Sequence, residues 1–258
     1  MNKNVLITGP TSGIGYELAK IFAEKNFGLI LVGRNREKLE QVSNELGREK
    51  CTIIVSDLSK INAAREIFEE TQKQKIEVEI LVNNAGFGLY GKFLETELEK
   101  ELEMIQVNIV ALTSLTKLFL PQMIQRKSGK ILNLASTAAF QPGPLMAVYY
   151  ATKAYVLHFS EAISEELDGS GVSITALCPG PTESGFQTAS KMDKSMEVLQ
   201  KRNVMDSKTV AKIGFDALMK KKVIAVAGFR NKITSELVRI MPRALTRKIV
   251  KEIQRKRK

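Results

Sequence analysis

The stretch "VLITGPTSGIG" covers residues 5–15, and its two ends follow different rules. "VLITG" (5–9) is a short, nearly continuous apolar run, the pattern of a strand buried on both faces. "TGPTSGIG" (8–15) then leads into an amphipathic stretch over about 13–25, which reads as a helix. Gly9 lets the chain turn sharply, and Gly13 and Gly15 let backbone approach a ligand or the sheet. The helix that follows points its first N–H groups and its dipole at that turn, a setting suited to a pyrophosphate. A glycine-rich turn alone is a weak signal, and a plain strand–helix turn is the bland alternative. Its place after a first strand and before a first helix favours a dinucleotide site. The spacing is Gly-x3-Gly-x-Gly, not the common G-x-G-x-x-G, and the lysine of a P-loop is missing.

The same alternation runs on through the chain. "LILVG" (29–33), "CTIIVS" (51–56), "EILVNN" (79–84), "KILNLAS" (130–136), "VSITALC" (172–178) and "VIAVAG" (223–228) read as further strands. Between them lie helical patterns at about 35–47, 60–75, 95–126, 147–168 and 207–221. Apolar strands in strict alternation with helices predict an α/β fold, a single doubly wound Rossmann-type domain around a seven-stranded parallel sheet. The expected catalytic domain is 1–228, followed by a basic amphipathic extension, 229–258.

Composition narrows the function. The 258 residues suffice for one large domain, with 44% hydrophobic and 26% charged residues. Two cysteines, Cys51 and Cys178, are too few for a disulfide framework and fit a reducing, cytoplasmic setting. A single histidine, His158, argues against a histidine metal cluster or a Ser-His-Asp triad. No uninterrupted apolar run reaches the roughly 18 residues of a membrane span, and the strand at Val5 leaves no room for a signal peptide. The net charge of +11 is concentrated at the end: residues 228–258 hold eleven Lys/Arg and two acids.

The end of the second strand bears on the cofactor. An acid there commonly binds the ribose hydroxyls of NAD. This chain has Gly33, Arg34, Asn35 and Arg36 instead. Without a carboxylate nothing repels a 2′-phosphate, and an arginine grips one with a planar fork of donors. NADP(H) is therefore expected, with NAD(H) as second choice.

"YYATK" (149–153) supplies candidate chemistry. On a helix, Tyr149 and Lys153 share a face one turn apart, whereas Tyr150 points about 100° away. A cation beside a phenol lowers a pKa that is otherwise about 10, so the lysine selects Tyr149.

These segments, together with "NNAG" (83–86), resemble the classical short-chain dehydrogenase/reductase family over about residues 4–228, in the family's order and at its intervals. The resemblance implies a cofactor site from Gly9, Thr11, Ser12, Gly13, Ile14 and Gly15, with Arg34 beside it. It adds Asp57 and Leu58 at the adenine, and Asn83, Asn84, Ala85 and Gly86 beneath the adenosine end. It places Pro179, Gly180, Thr182 and Ser184 at the nicotinamide, Ser184 standing where a threonine is usual. It implies a catalytic tetrad of Asn108, Ser136, Tyr149 and Lys153. In that tetrad Tyr149 is the general acid/base and Ser136 holds the substrate oxygen. Lys153 also holds the nicotinamide ribose, and Asn108 anchors a water leading to Lys153.

The expected activity is hydride transfer between NADP(H) and a carbonyl or alcohol. The contrasting reading is a dinucleotide-binding sensor or scaffold without catalysis. The expected pocket spans 87–90, 140–150 and 181–205, and Phe87, Leu89, Phe140, Leu145, Met146, Phe186 and Met192 hint at a hydrophobic substrate. A homo-oligomer is expected, and nucleic acid is not, since the basic tail lacks aromatics for stacking. In the tail Pro242 suits a helix start, and Leu245, Ile249 and Ile253 form an apolar stripe with Val250 at its edge, opposite Arg243, Arg247, Lys251 and Arg255. Such a helix can lie peripherally on an anionic membrane, or its stripe can pack against the body or a second subunit while the charges face water, the reading preferred here.

Overall fold

A computed structural model describes residues 3–183 and 204–254. Ser184, Phe186, Met192 and Arg255 lie outside them. Seven strands form one sheet: β1 (Asn4–Thr8), β2 (Gly28–Gly33), β3 (Cys51–Val55), β4 (Val78–Asn83), β5 (Gly129–Leu134), β6 (Val172–Cys178) and β7 (Ile224–Val226). They run in the order β3-β2-β1-β4-β5-β6-β7, and every pairing is parallel. The order reverses between β1 and β4, and open α/β sheets bind ligands outside the strand ends at such a point.

Helices α1 (Gly13–Glu24), α2 (Arg36–Leu46), α3 (Ala63–Lys73), α4 (Leu98–Gln125), α5 (Ala147–Glu166) and α6 (Ser207–Met219) connect the strands. Two apolar layers cover the sheet. Leu18, Phe22, Val210 and Leu218 lie on one face; Ile67, Leu115, Phe119 and Met123 lie on the other. Fully burying a side chain of this size contributes about 1.5–3 kcal/mol. Phe22 also meets Phe27 and Phe215 edge to face, with ring centroids 5.2 Å apart in each pair.

By length and composition α4 could cross a membrane, although no continuous apolar run predicts it. Polar residues such as Asn108 and Thr116 interrupt the run while leaving the average high, and both are buried. The middle of α4, Gln106–Ala111, is π-helical. Extra residues in a helical turn of this kind are frequent at functional sites.

The extension forms two helices, α7 (Phe229–Ile240) and α8 (Arg243–Gln254). Packing of the α8 stripe against the body is corrected here. The face of α8 turned toward the body carries Thr246, Val250 and Gln254, all buried, while Leu245, Ile249 and Ile253 are exposed. The binary pattern misleads because a polar contact orients this helix: Gln254 is tied to two tyrosines of the body, described below.

Candidate active site

The cleft at the switch point has a volume of about 850 Å³ and is lined along its length from Gly9 to Gln254. At one end lies the glycine turn. Gly9 and Gly13 have φ of 66° and 57°, the left-handed region. Ser12 is the N-cap of α1, so the first N–H groups of that helix open toward the cleft. Thr11, Ser12, Gly13 and Ile14 all line it.

Gly15 does not line the cleft. A Cβ there would stand 2.3 Å from both Asn84 Nδ2 and the Gly9 carbonyl. Gly15 is a packing glycine that lets α1 close on the turn. Asn84 donates through Nδ2 to the carbonyls of Thr8 and Gly9, at 2.8 and 2.9 Å. Thr8 Oγ1 in turn accepts from the backbone N–H of Asn84 and Ala85, each at 3.0 Å. Thr8 thus joins β1 to the segment after β4, a role that its place at the head of the motif does not reveal.

Asn83 is buried and faces away from the cleft. It donates to Thr116 Oγ1 at 3.1 Å and to Asn133 Oδ1 at 2.9 Å, and Asn133 donates to Ser160 Oγ at 2.9 Å. This network pins β4, α4, β5 and α5 together. Asn84, Ala85 and Gly86 do line the cleft.

Arg34 lines the cleft at the end of β2, with Asn35 and Lys38 beside it. Asn35 caps α2, its side chain accepting from the Lys38 N–H at 2.9 Å. Lys38 is a second cation that the sequence pattern does not single out. Asp57 and Leu58 line the same region. Burial alone raises the Asp57 carboxyl. Hydrogen bonds from Ser59 N–H and O–H, with Arg34 and Lys60 nearby, outweigh burial and hold it below the usual carboxylate range.

At the centre, Ser136, Tyr149 and Lys153 come together on the cleft wall. Ser136 caps the short turn after β5, its Oγ accepting from Ala138 N–H at 3.1 Å, and its hydroxyl also hydrogen-bonds the Tyr149 side chain. Lys153 Nζ donates to the Leu134 carbonyl at 2.7 Å and lies 5.9 Å from the centre of the Tyr149 ring. Burial is the main influence on both groups. It pushes the Tyr149 phenol above its ordinary range, against the Ser136 hydrogen bond. It pulls the Lys153 ammonium down to about 8, slightly opposed by Cys178. The Lys153 ammonium is committed to the Leu134 carbonyl, and desolvation is the largest influence on the Tyr149 phenol.

Asn108 is buried in the π segment. Its Oδ1 accepts from Phe87 N–H at 3.1 Å, and its Nδ2 donates to the Phe87 carbonyl at 2.9 Å and to Thr152 Oγ1 at 3.1 Å. The side chain thereby fixes the loop after β4 against α4 and α5. Both amide hydrogens are used in these contacts.

Pro179, Gly180 and Thr182 line the far wall. The Pro179 carbonyl accepts from Thr137 N–H at 2.9 Å, and Thr182 Oγ1 donates to the Gly180 carbonyl at 2.9 Å. The cleft fits a dinucleotide: at one end a helix start whose N-cap Ser12 makes no side-chain capping bond, and toward the centre Gly86, where a Cβ would stand 2.9 Å from Asn108 Oδ1 and 3.5 Å from Lys153 Nζ.

Beyond the tyrosine the cleft becomes apolar, with Phe87, Leu89, Tyr90, Met146 and Tyr150. Phe140 packs instead beneath α5, against the cluster of Val156 and Leu157. Leu145 does not line the cleft among the described residues. The wall is completed by Gln254, from the last turn of α8. Its Nε2 donates to Tyr150 Oη at 2.5 Å, and Tyr90 Oη donates to its carbonyl at 2.9 Å. The cleft therefore draws on both sides of the expected boundary at residue 228. Cys178 is buried, its thiol pushed up to about 12 mainly by burial, and is chemically quiet. His158 is exposed and pairs with Glu161 at 3.3 Å.

Comparison with known proteins agrees with this geometry. The family described as short chain dehydrogenase matches residues 3–195, and the chain belongs to the short-chain dehydrogenase/reductase family of oxidoreductases. A ketoacyl reductase, HetN, from Nostoc sp. is 30% identical over 241 residues, 93% of this chain and 83% of that protein. A short-chain dehydrogenase from Sphingobium yanoikuyae, solved with NADPH, superposes with a TM-score of 0.81 at 26% identity, covering 94% and 97% of the two chains. A 3-ketoacyl-(acyl-carrier-protein) reductase from Brucella melitensis, solved with NADH, does so with a TM-score of 0.77 at 27% identity, covering 87% and 94%.

Proposed function

We propose that this oxidoreductase transfers a hydride between NADP(H) and a hydrophobic carbonyl or alcohol, with Tyr149 as general acid/base. The reading rests above all on one observation: the Tyr149 phenol is buried on the cleft wall, hydrogen-bonded to Ser136, with Lys153 one helical turn away. When bound, the dinucleotide supplies or accepts the hydride. In the reductive direction Ser136 Oγ hydrogen-bonds the carbonyl oxygen and Tyr149 Oη gives it a proton. An alkoxide is a far stronger base than a buried tyrosinate, so the transfer is downhill even from a phenol held above its usual range. Lys153, charged below about 8, stabilises the tyrosinate left behind once the Leu134 carbonyl shares it with the site. Asn108 acts as a positioning residue, holding the Phe87 loop and Thr152.

Arg34 and Lys38, with no carboxylate at the end of β2, support a preference for the 2′-phosphorylated cofactor. The NADPH held by the Sphingobium relative supports the same choice. Phe87, Leu89, Met146 and Tyr150 support an apolar substrate, and the ketoacyl reductase relatives favour an acyl chain among such substrates. Exposed Leu98 and Leu102 on α4 support assembly into a homo-oligomer.

The test is a panel of acyl, steroid and aromatic ketones with NADPH and with NADH, followed by loss of cofactor absorbance. Turnover of at least one ketone, faster with NADPH, is the expected result. Turnover of none, with NADPH still bound, turns the reading toward a non-catalytic sensor.

A further inference from the structure

The helices α7 and α8 are packed inside out. On α7 the side turned to the body carries Asn231 and the buried Ser235, while Ile233, Leu237 and Ile240 are exposed. On α8 that side carries Thr246, Val250 and Gln254, while Leu245, Ile249 and Ile253 are exposed. The contrast is largest at Ile240, 82% exposed, and Ser235, 4% exposed. The exposed aliphatics recur at four- and three-residue steps on α7 and at four-residue steps on α8, so each helix presents a continuous apolar stripe. Scattered apolar side chains on a surface need no explanation. Two successive helices that turn mostly small or polar residues inward, Val250 apart, and their aliphatic stripes outward do.

We infer that the α7–α8 face is a docking surface for an anionic lipid bilayer. Charge decides the occupant. Residues 229–254 hold seven Lys/Arg and two acids, Glu236 and Glu252, a net of +5. The basic residues Arg230, Lys232, Arg243, Arg247, Lys248 and Lys251 are all exposed. Glu236 is engaged locally, 3.5 Å from Arg239. A second copy of the chain would bring the same positive charge to the same face and repel it. An anionic headgroup layer neutralises the charge, and the long Lys and Arg stems let their ends remain at headgroup level while the stripes enter the acyl boundary. The carboxyl end of α8 forms part of the cleft wall through Gln254, so the docked face and the substrate wall belong to one helix.

The experiment is co-sedimentation of the full chain with vesicles of phosphatidylcholine alone and of equal parts phosphatidylcholine and phosphatidylglycerol. It needs no substrate, so its outcome is independent of the oxidoreductase reading. Two surface variants accompany the wild type, each checked for folding by circular dichroism. One is Arg243→Gln with Arg247→Gln and Lys251→Gln; the other is Ile249→Ser with Ile253→Ser. The expected result is pelleting with the anionic vesicles only, reversed by high salt. Affinity should fall about a hundredfold in the charge variant and at least about tenfold in the apolar variant. Equal pelleting with both vesicles, or no pelleting at all, overturns the inference. So does an apolar variant that binds like wild type, since the stripes would then be idle. Sedimentation velocity gives one further overturning outcome: a dimer that the isoleucine pair dissociates, without lipid binding, makes the face an interface between copies.

Discussion

At the glycine-turn end of the cleft the lining is built around the backbone of the turn and the start of α1, with Arg34, Lys38 and Asp57 beside it. At the substrate end it is built of side chains from distant parts of the chain: Tyr90 after β4, Met146 and Tyr150 at the start of α5, Gln254 at the end of α8. The difference follows from what each end must recognise. A dinucleotide presents the same phosphates and sugars to every enzyme that uses it, and main-chain donors at a helix start serve it without side-chain choice. A substrate wall made of side chains can change one residue at a time while the sheet stays as it is. Damage at the first end should therefore appear in cofactor binding or folding, and damage at the second in substrate choice.

The boundary between the two ends is Tyr149, and its loss should have the largest effect. Tyr149→Phe keeps the ring and should cut turnover by about 10²–10⁴, with NADPH affinity by fluorescence titration nearly unchanged. Tyr150→Phe should keep most activity, because that phenol serves Gln254. The reverse outcome would break the comparison at its centre.

Next in size, Arg34→Ala should weaken NADPH binding roughly ten- to a hundredfold, the worth of one charge-assisted contact of about 1.5–3 kcal/mol. NADH binding should barely move. Equal losses for both cofactors would make Arg34 a support of the fold.

A smaller and opposite signature belongs to the apolar end of the cleft. Gln254→Ala removes the contact to Tyr150 and should raise KM for the carbonyl by about five- to tenfold, the worth of roughly one side-chain hydrogen bond. The Kd for NADPH should stay constant. An unchanged KM with weakened NADPH binding would show that α8 acts on the cofactor end instead.

The mildest effect concerns pH. Burial lowers Lys153 to about 8, so its charge is present below that pH and lost above it. Burial raises Tyr149, so the phenol stays protonated throughout the same range. For ketone reduction, kcat/KM for NADPH, which reports the free enzyme, should fall as pH rises through about 8. It should be halved near the midpoint. A profile flat to about pH 10 would assign the lysine no charge-dependent role.

What could be read from sequence divides along the same line. The glycine turn and the Tyr149/Lys153 pair are local patterns, set by spacing within one turn or one helix, and the strand–helix alternation gave the layers and parallel sheet directly. Gln254 could not be found that way. It meets Tyr150 across a separation of 104 residues, and nothing in "KEIQ" (251–254) marks a pocket wall. The stripe on α8 was visible, but its direction was not, because a polar tether overrides the aliphatic pattern. Lys38 and Thr8 escaped notice for a related reason: each acts through a neighbour fixed only by the finished fold. Asn83 and Gly15 were legible as important, but their work is packing rather than contact with a ligand.

The Thr8 hydroxyl has a further consequence, for the order in which the molecule can be made. It closes the glycine turn against Asn84 and Ala85, 76 and 77 residues further along. A nascent chain that has displayed "TGPTSGIG" already holds every residue of the motif but not the shape. Its partner segment is still inside the ribosome until helices α1 to α3 and strands β2 to β4 have been synthesised. Contacts of such long separation form late and slowly. The earliest residues of the motif are thus among the last to be closed into their final shape.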